Sequence, residues 1–238
     1  VSLSDCAAMA TAPVAAVVSV ALPKGFGGEE LKQLHCGISS AGDKFGCALV
    51  GGDITRWKGE ERFAISVAML SKPAANKPVR RSGAKVADTI CVTGSLGGAG
   101  CGPPYKHLEF EPRVKEAIKI AHKVTVNAMI DISDGLASDL NRICQQSQVG
   151  AVINAEQIPI SSQVLKNENP LNSALNDGED FELLFTLSEK DCQRLLERWD
   201  GPIPITQIGA VTDTKKMQIK TANGRISDLK AKGYDHLK

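Results

Sequence analysis

The stretch Met129-Ile130-Asp131-Ile132-Ser133-Asp134-Gly135-Leu136 reads as the end of an apolar strand, a turn carrying two carboxylates and a hydroxyl, and the start of a helix. Ala128 to Ile132 supplies the strand, and from Asp134 to Ser147 the residues Leu136, Leu140 and Ile143 fall on one helical face. A strand that passes into a helix in this way leaves free N–H groups beside acidic oxygens, an arrangement able to hold metal and phosphate together. Plain helix capping by Ser133 or Asp134 is the ordinary alternative.

Three more acidic turns punctuate the chain: Leu3-Ser4-Asp5, Gly51-Gly52-Asp53 and Asp177-Gly178-Glu179-Asp180. Each has a local explanation as well, Asp5 as a helix cap before Cys6 to Met9 and Gly-Gly-Asp as a turn. If the four converge, their charges repel and are costly to desolvate, so they need a cation. Mg²⁺ with a phosphorylated ligand is the partner that this chemistry selects.

Outward from these turns, strand and helix patterns alternate. Val14 to Leu22 reads as a strand, Leu31, Leu34, Ile38 and Ala41 mark an amphipathic helix, and Cys47 to Val50 a short buried strand ending at Gly51-Gly52-Asp53. Phe63 to Leu70 is a further strand, and Ser71 to Ser82, with two prolines and Arg80-Arg81, reads as a linker. Beyond it come the strand Thr89 to Thr93, the glycine- and proline-rich loop Gly94 to Pro104, and a helix from about Pro112 to Asn127. Strands follow at 152–154, 182–187, 205–211 and 217–221. Ser188 with Asp191 opens a helix whose inner face is Leu195, Leu196 and Trp199. Strands outnumber those of a simple doubly wound sheet, so the expected fold is α+β in two domains, 1–72 and 73–238.

Composition removes several function classes. The 238 residues carry a formal net charge of +1 and 4% aromatics, giving neither a basic surface nor stacking platforms for nucleic acid. The seven cysteines include no C-x-x-C pair, which argues against a zinc ribbon or a disulfide framework and for a reducing cytoplasm. No apolar run is long enough for a membrane helix. G-x-x-x-x-G-K-[ST], H-E-x-x-H and G-x-S-x-G are all missing from the sequence.

Taken in order, the acidic turns and their neighbours resemble the thiamine-monophosphate kinases. Val1-Ser2-Leu3-Ser4-Asp5-Cys6-Ala7-Ala8-Met9 is similar to that family's N-L-S-D-x-A-A-M, Gly51-Gly52-Asp53-Ile54-Thr55-Arg56 to G-G-D-T-T-R, and Arg81-Ser82-Gly83-Ala84 to R-S-G-A. Residues 129–136 match M-I-D-I-S-D-G-L, residues 177–184 resemble G-G-E-D-Y-E-L-L, and Gly233-Tyr234-Asp235-His236 resembles the closing G-[WYF]-D-H. The matches cover nearly the whole chain.

The resemblance implies the fold of the aminoimidazole ribonucleotide synthetase superfamily. Its N-terminal domain dimerises through its sheet, its C-terminal α+β domain closes over the nucleotide, and ATP lies between them. It implies direct transfer of the ATP γ-phosphoryl to thiamine phosphate, giving thiamine diphosphate and ADP with several Mg²⁺ ions and no phosphoenzyme. By family match Asp5, Asp53, Asp131 and Asp134 hold metal, with Asp131 and Asp134 catalytic. Gly52, Asp53, Arg81 and Ser133 meet ATP, and Glu179 and Tyr234 face the thiamine moiety. A homodimer is expected, with no nucleic acid or membrane partner.

The sequence departs from the family at Ile54, where threonine is usual, at Asn176-Asp177, and in the short loop Gly94 to His107. The resemblance also implies a glycine-rich segment with a G-D-D-A-A turn upstream of Val1. Two other readings stand beside the kinase: another enzyme of the superfamily, of selenophosphate or aminoimidazole ribonucleotide synthetase type, or a non-catalytic nucleotide-binding relative. Arg81-Ser82-Gly83-Ala84 and Gly233-Tyr234-Asp235-His236 weigh against the former.

Overall fold

The computed structural model describes residues 1–59, 62–103 and 105–233. Helix α1 (Ser2–Ala8) leads into β1 (Thr11–Leu22), α2 (Gly28–Lys44), β2 (Ala48–Arg56) and β3 (Ala64–Pro73). These three strands form one sheet in the order β2-β1-β3, parallel between β1 and β2 and antiparallel between β1 and β3. Parallel neighbours need a crossover, and α2 provides it. Its Leu31, Leu34 and Ile38 pack on Val18, Val20 and Leu22 of β1, the inward set of an alternating strand.

The chain then builds β4 (Thr89–Thr93), α3 (Lys106–Glu109), α4 (Val114–Lys123), β5 (Ala128–Asp131), α5 (Leu136–Ser147) and β6 (Gly150–Asn154). It closes with α6 (Pro170–Asn176), β7 (Leu183–Leu187), α7 (Glu189–Glu197), β8 (Ile205–Thr212), β9 (Met217–Lys220) and β10 (Ile226–Asp228). The second sheet runs β10-β9-β6-β8-β4-β7-β5 and is antiparallel except between β6 and β9.

Both faces of this sheet are covered, which explains why every residue of β4, β5 and β7 is buried rather than alternate ones. Ile90, Val92, Ile130 and Leu184 face Leu136, Leu140 and Ile143 of α5. Cys91, Met129, Leu183 and Phe185 face the other way, toward Ala117 and Ile120 of α4 and Cys192 and Leu195 of α7. Ala7 of α1 joins that second cluster. The helix carrying Asp5 is thereby packed against the sheet that carries Asp131.

Several sequence expectations need adjusting. The strand at Cys47 to Val50 is longer, β2 passing through Gly51-Gly52-Asp53 to Arg56, and it is largely exposed rather than buried. Pairing continues because β1 offers partners along its length, Ser19 opposite Asp53 and Leu22 opposite Arg56. Asp5 lies inside the first turn of α1 rather than capping it. The helix expected at 112–127 is trimmed to α4, and β3 extends into the expected linker as far as Pro73. Helix α6, begun by Pro170 at a first-turn position and capped by Asn169, was not foreseen. Ser188 does cap α7, accepting the Asp191 N–H at 3.1 Å.

Candidate active site

Asp131 is the last residue of β5 and is buried, and Ser4 of α1 donates its hydroxyl to Asp131 Oδ2 at 2.6 Å. The 3-10 turn Arg81–Gly83 lies alongside: Met129 N–H reaches Arg80 C=O at 3.2 Å, and Ser147 Oγ reaches Arg81 C=O at 2.9 Å. Asp5, Arg81, Asp131, Ser133 and Arg142 line one cavity of about 360 Å³. Partial burial and then the nearby Asp131 charge push the Asp5 carboxyl above its ordinary pKa, with Arg81 acting in the opposite direction.

Neither Ser133 nor Asp134 caps α5. Gly135 occupies the cap position, at φ +106°, and contributes no side chain. Asp139, in the first turn of α5, instead ties down the turn before it: one carboxylate oxygen accepts the N–H groups of both Ser133 and Asp134 at 3.0 Å. Arg142 pairs with the other oxygen of Asp139 and also with Asp134. Asp139 is fully buried, and desolvation raises its pKa to about 6 against the pull of the Asp134 N–H and Arg142.

The acidic turn at 177–180 docks on the one at 131–135. Glu179 N–H donates to Ser133 C=O at 2.8 Å, Phe181 N–H to Ile132 C=O at 2.9 Å, and Ile132 N–H to Glu182 C=O at 2.8 Å. The fit requires glycine at 178: φ is +74°, and a Cβ there would lie 2.7 Å from Ser133 O. Glu179 and Phe181 also adopt positive φ, +55° and +50°, a conformation costing roughly 1–2 kcal/mol per non-glycine residue. The three cross-turn bonds and the stacking of Phe181 on Phe110, with centroids 4.0 Å apart, offset that cost.

Behind the turn lies a buried charge network that the sequence reading missed. Glu182 accepts two bonds from Arg113, at 2.8 and 2.7 Å, and one from Thr93 Oγ1 at 2.8 Å. Lys106 is 3.4 Å from Glu182 and 3.6 Å from Asp180. Asp180 accepts Gly97 N–H at 2.7 Å through one oxygen, while the other has no hydrogen-bond partner.

Burial raises the Asp180 pKa to about 6, with Lys106 the largest opposing influence. The stability this carboxyl contributes is therefore full below pH 4, its unfolded range, and is lost as pH rises through 6. A shift of this size corresponds to about 3 kcal/mol. In urea titrations, Asp180→Asn should gain on the parent by about that amount between pH 4 and pH 7.5. A constant difference between the two proteins across that range would rule the buried titration out.

Of the sequence candidates, Asp5, Arg81, Asp131 and Ser133 meet at one cavity, with Asp134 at its edge on Arg142 and exposed Glu179 joined to Ser133. Gly52 and Asp53 line a different cavity, of about 410 Å³, with Val18, Leu34 and Ile38. Tyr234 lies outside the described residues. Among the described residues no three acidic, histidine or cysteine side chains gather as a ready metal cage. Ser4, Asp139 and Arg142 were missed. The only sequence trace of the last two is the i, i+3 spacing of opposite charges in the first turns of α5.

Residues 1–72 match the family described as AIR synthase related protein, N-terminal domain, and residues 86–221 its C-terminal domain. A thiamine-monophosphate kinase of Rhodopirellula baltica is 34% identical over 99% of this chain and 74% of the relative. Another, from Methanospirillum hungatei, is 36% identical over 99% and 78%. The solved structure of AaThiL complexed with AMPPCP and TMP superposes with a TM-score of 0.79 at 28% identity, covering 98% of this chain and 77% of that one. A hydrogenase maturation protein HypE in complex with ATP, 18% identical, shares the fold with the same TM-score. The chain belongs to the AIR synthase related family and, within it, to the thiamine-monophosphate kinases.

Proposed function

We propose that this chain transfers the γ-phosphoryl group of ATP directly to the phosphate of thiamine phosphate, forming thiamine diphosphate and ADP. The observation that carries the reading is the convergence of Asp5, Arg81, Asp131 and Ser133 on one cavity, in a chain whose relatives are thiamine-monophosphate kinases along its full length. An acceptor phosphate is already anionic at neutral pH and needs no strong general base. The barrier lies in bringing two polyanions together and aligning them.

The residues fit Mg²⁺. The cavity offers hard carboxylate oxygens, and a cation would offset both the burial and the Asp131 charge that raise the Asp5 pKa. Asp5, Asp131 and Asp134 would hold it, and Asp53, on its separate cavity, would serve a further Mg²⁺, the metal supplying charge neutralisation between phosphates. Ser4 fixes one oxygen of Asp131 and leaves the other for the cavity. Arg81 gives the nucleotide phosphates a charge-assisted donor. Ser133 and Gly52 make the remaining ATP contacts. Glu179 and Tyr234 are assigned to thiamine recognition, a carboxylate suiting a cationic thiazolium and an aromatic face suiting a ring.

We assign residues 1–72 to an N-terminal domain and 73–238 to one that closes the site. The first sheet leaves Val14, Val17, Ile65 and Leu70 exposed, apolar surface that a second copy of the chain would cover in a homodimer. The cytoplasm is the proposed compartment, in keeping with seven free thiols. No described helix is long and apolar enough to cross a membrane.

The direct test is incubation with ATP, Mg²⁺ and thiamine phosphate, with thiamine diphosphate measured by chromatography. Product should form in step with ADP. Turnover of another small acceptor, with no thiamine diphosphate, would overturn the assignment.

A further inference from the structure

We propose that Arg142 is a nucleotide-phosphate-binding residue whose guanidinium is parked on Asp134 and exchanges that carboxylate for phosphate when a divalent cation occupies Asp134. The inference rests on the reading of Asp134 as a metal ligand.

The two carboxylates held by Arg142 are not equivalent. Asp139 is fully buried, and both of its oxygens are engaged, one by two backbone N–H groups and one by Arg142. It cannot turn away without breaking the stitch that shapes the Ser133–Asp134 turn. Asp134 is partly exposed, and its side chain has Arg142 as its hydrogen-bond partner among the described residues. The guanidinium thus has one fixed anchor, through Nη1, and one exchangeable partner, through Nη2.

Position and charge point the same way. Arg142 lines the cavity shared by Asp5, Arg81, Asp131 and Ser133, and about a third of its side chain is open to solvent. Asp5 and Asp131 line the cavity with Arg81 and Arg142, and Asp134 and Asp139 pair with Arg142, so carboxylates outnumber guanidiniums four to two. Two uncompensated negative charges suit one divalent cation. Once Asp134 is shared with such a cation, Nη2 of Arg142 loses its acceptor and, still tethered to Asp139, has an anionic phosphate as the natural replacement. Arg142 and the cation are alternative partners of one carboxylate in the resting protein, and joint holders of the nucleotide in the loaded one.

This predicts opposite signs for two affinities. Calorimetric titration of the full chain with MgCl₂ alone should give Arg142→Gln about fivefold tighter Mg²⁺ binding than the parent, because a competitor for Asp134 is gone. With Mg²⁺ saturating, a non-hydrolysable ATP analogue should bind Arg142→Gln about tenfold more weakly, the scale of one lost charge-assisted hydrogen bond. A residue that only props up the fold would weaken both.

Affinities that move together, that both stay fixed, or of which only one moves, overturn the exchange. Lack of Mg²⁺ binding by either protein overturns the metal reading of Asp134 and the exchange with it. Should Arg142→Gln fail to fold, Arg142→Lys decides. Lysine still competes for Asp134 but lacks the forked grip, so Mg²⁺ affinity should stay near the parent value while analogue affinity falls. An unchanged analogue affinity in Arg142→Lys overturns the proposal.

Discussion

Asp131→Asn should lower the rate of thiamine diphosphate formation roughly 10²–10³-fold, the scale of removing one well-placed electrostatic contact. Stability should stay within about 1 kcal/mol of the parent, the size of one altered hydrogen bond. The two effects separate because the side chain has two duties. Toward the protein, Asp131 accepts the Ser4 hydroxyl at 2.6 Å, and an asparagine carbonyl oxygen can do the same. Toward the cavity it presents charge, which asparagine cannot. Removing that charge also lifts the repulsion that adds to burial in raising the Asp5 pKa, so the metal-free protein should lose little stability. Steady-state rates with urea unfolding of the same preparations decide the matter. Equal losses of activity and stability would make Asp131 a structural residue and undo its proposed metal role.

What the sequence disclosed depended on how local the cause was. Thr89 to Thr93 and the Leu136, Leu140, Ile143 face were legible because periodicity and burial on two faces are written in consecutive residues. Ser188 as the cap of α7 was legible because its partner, Asp191, is three residues away. The extent of β2 was not, since a glycine pair reads as a turn and only the parallel register with β1 keeps it extended.

At the candidate site the acids were visible, and what holds them in place was not. Ser133 and Asp134 looked like caps, while the group that orders their N–H bonds, Asp139, sits inside the following helix. Asp180 reads in the sequence as part of an acidic turn and Glu182 as the start of a strand. Their burial follows from Lys106 and Arg113, cations 69 to 76 residues earlier, a pairing that no spacing rule could anticipate.

That pairing sets the largest stability effect expected. Glu182→Gln should destabilise the protein by about 3–5 kcal/mol, the usual consequence of orphaning one partner of a buried ion pair. Arg113 is nearly buried, and its pKa lies above the ordinary value because the hydrogen bonds and charge of Glu182 outweigh the desolvation that opposes it. A glutamine keeps the shape but brings an NH₂ group against the guanidinium, Thr93 or Lys106, all of them donors toward this position. Thr93 passes the disturbance on, because its oxygen also accepts Leu183 N–H at 2.8 Å. For a chain of this length the loss corresponds to a fall in Tm of roughly 10 °C. Removing the orphaned cation as well should restore much of it: Arg113→Met with Glu182→Gln should cost clearly less than the two single changes summed. Strict additivity in urea unfolding of the four proteins would mean that Arg113 and Glu182 act independently, and that this turn is held by its backbone bonds alone.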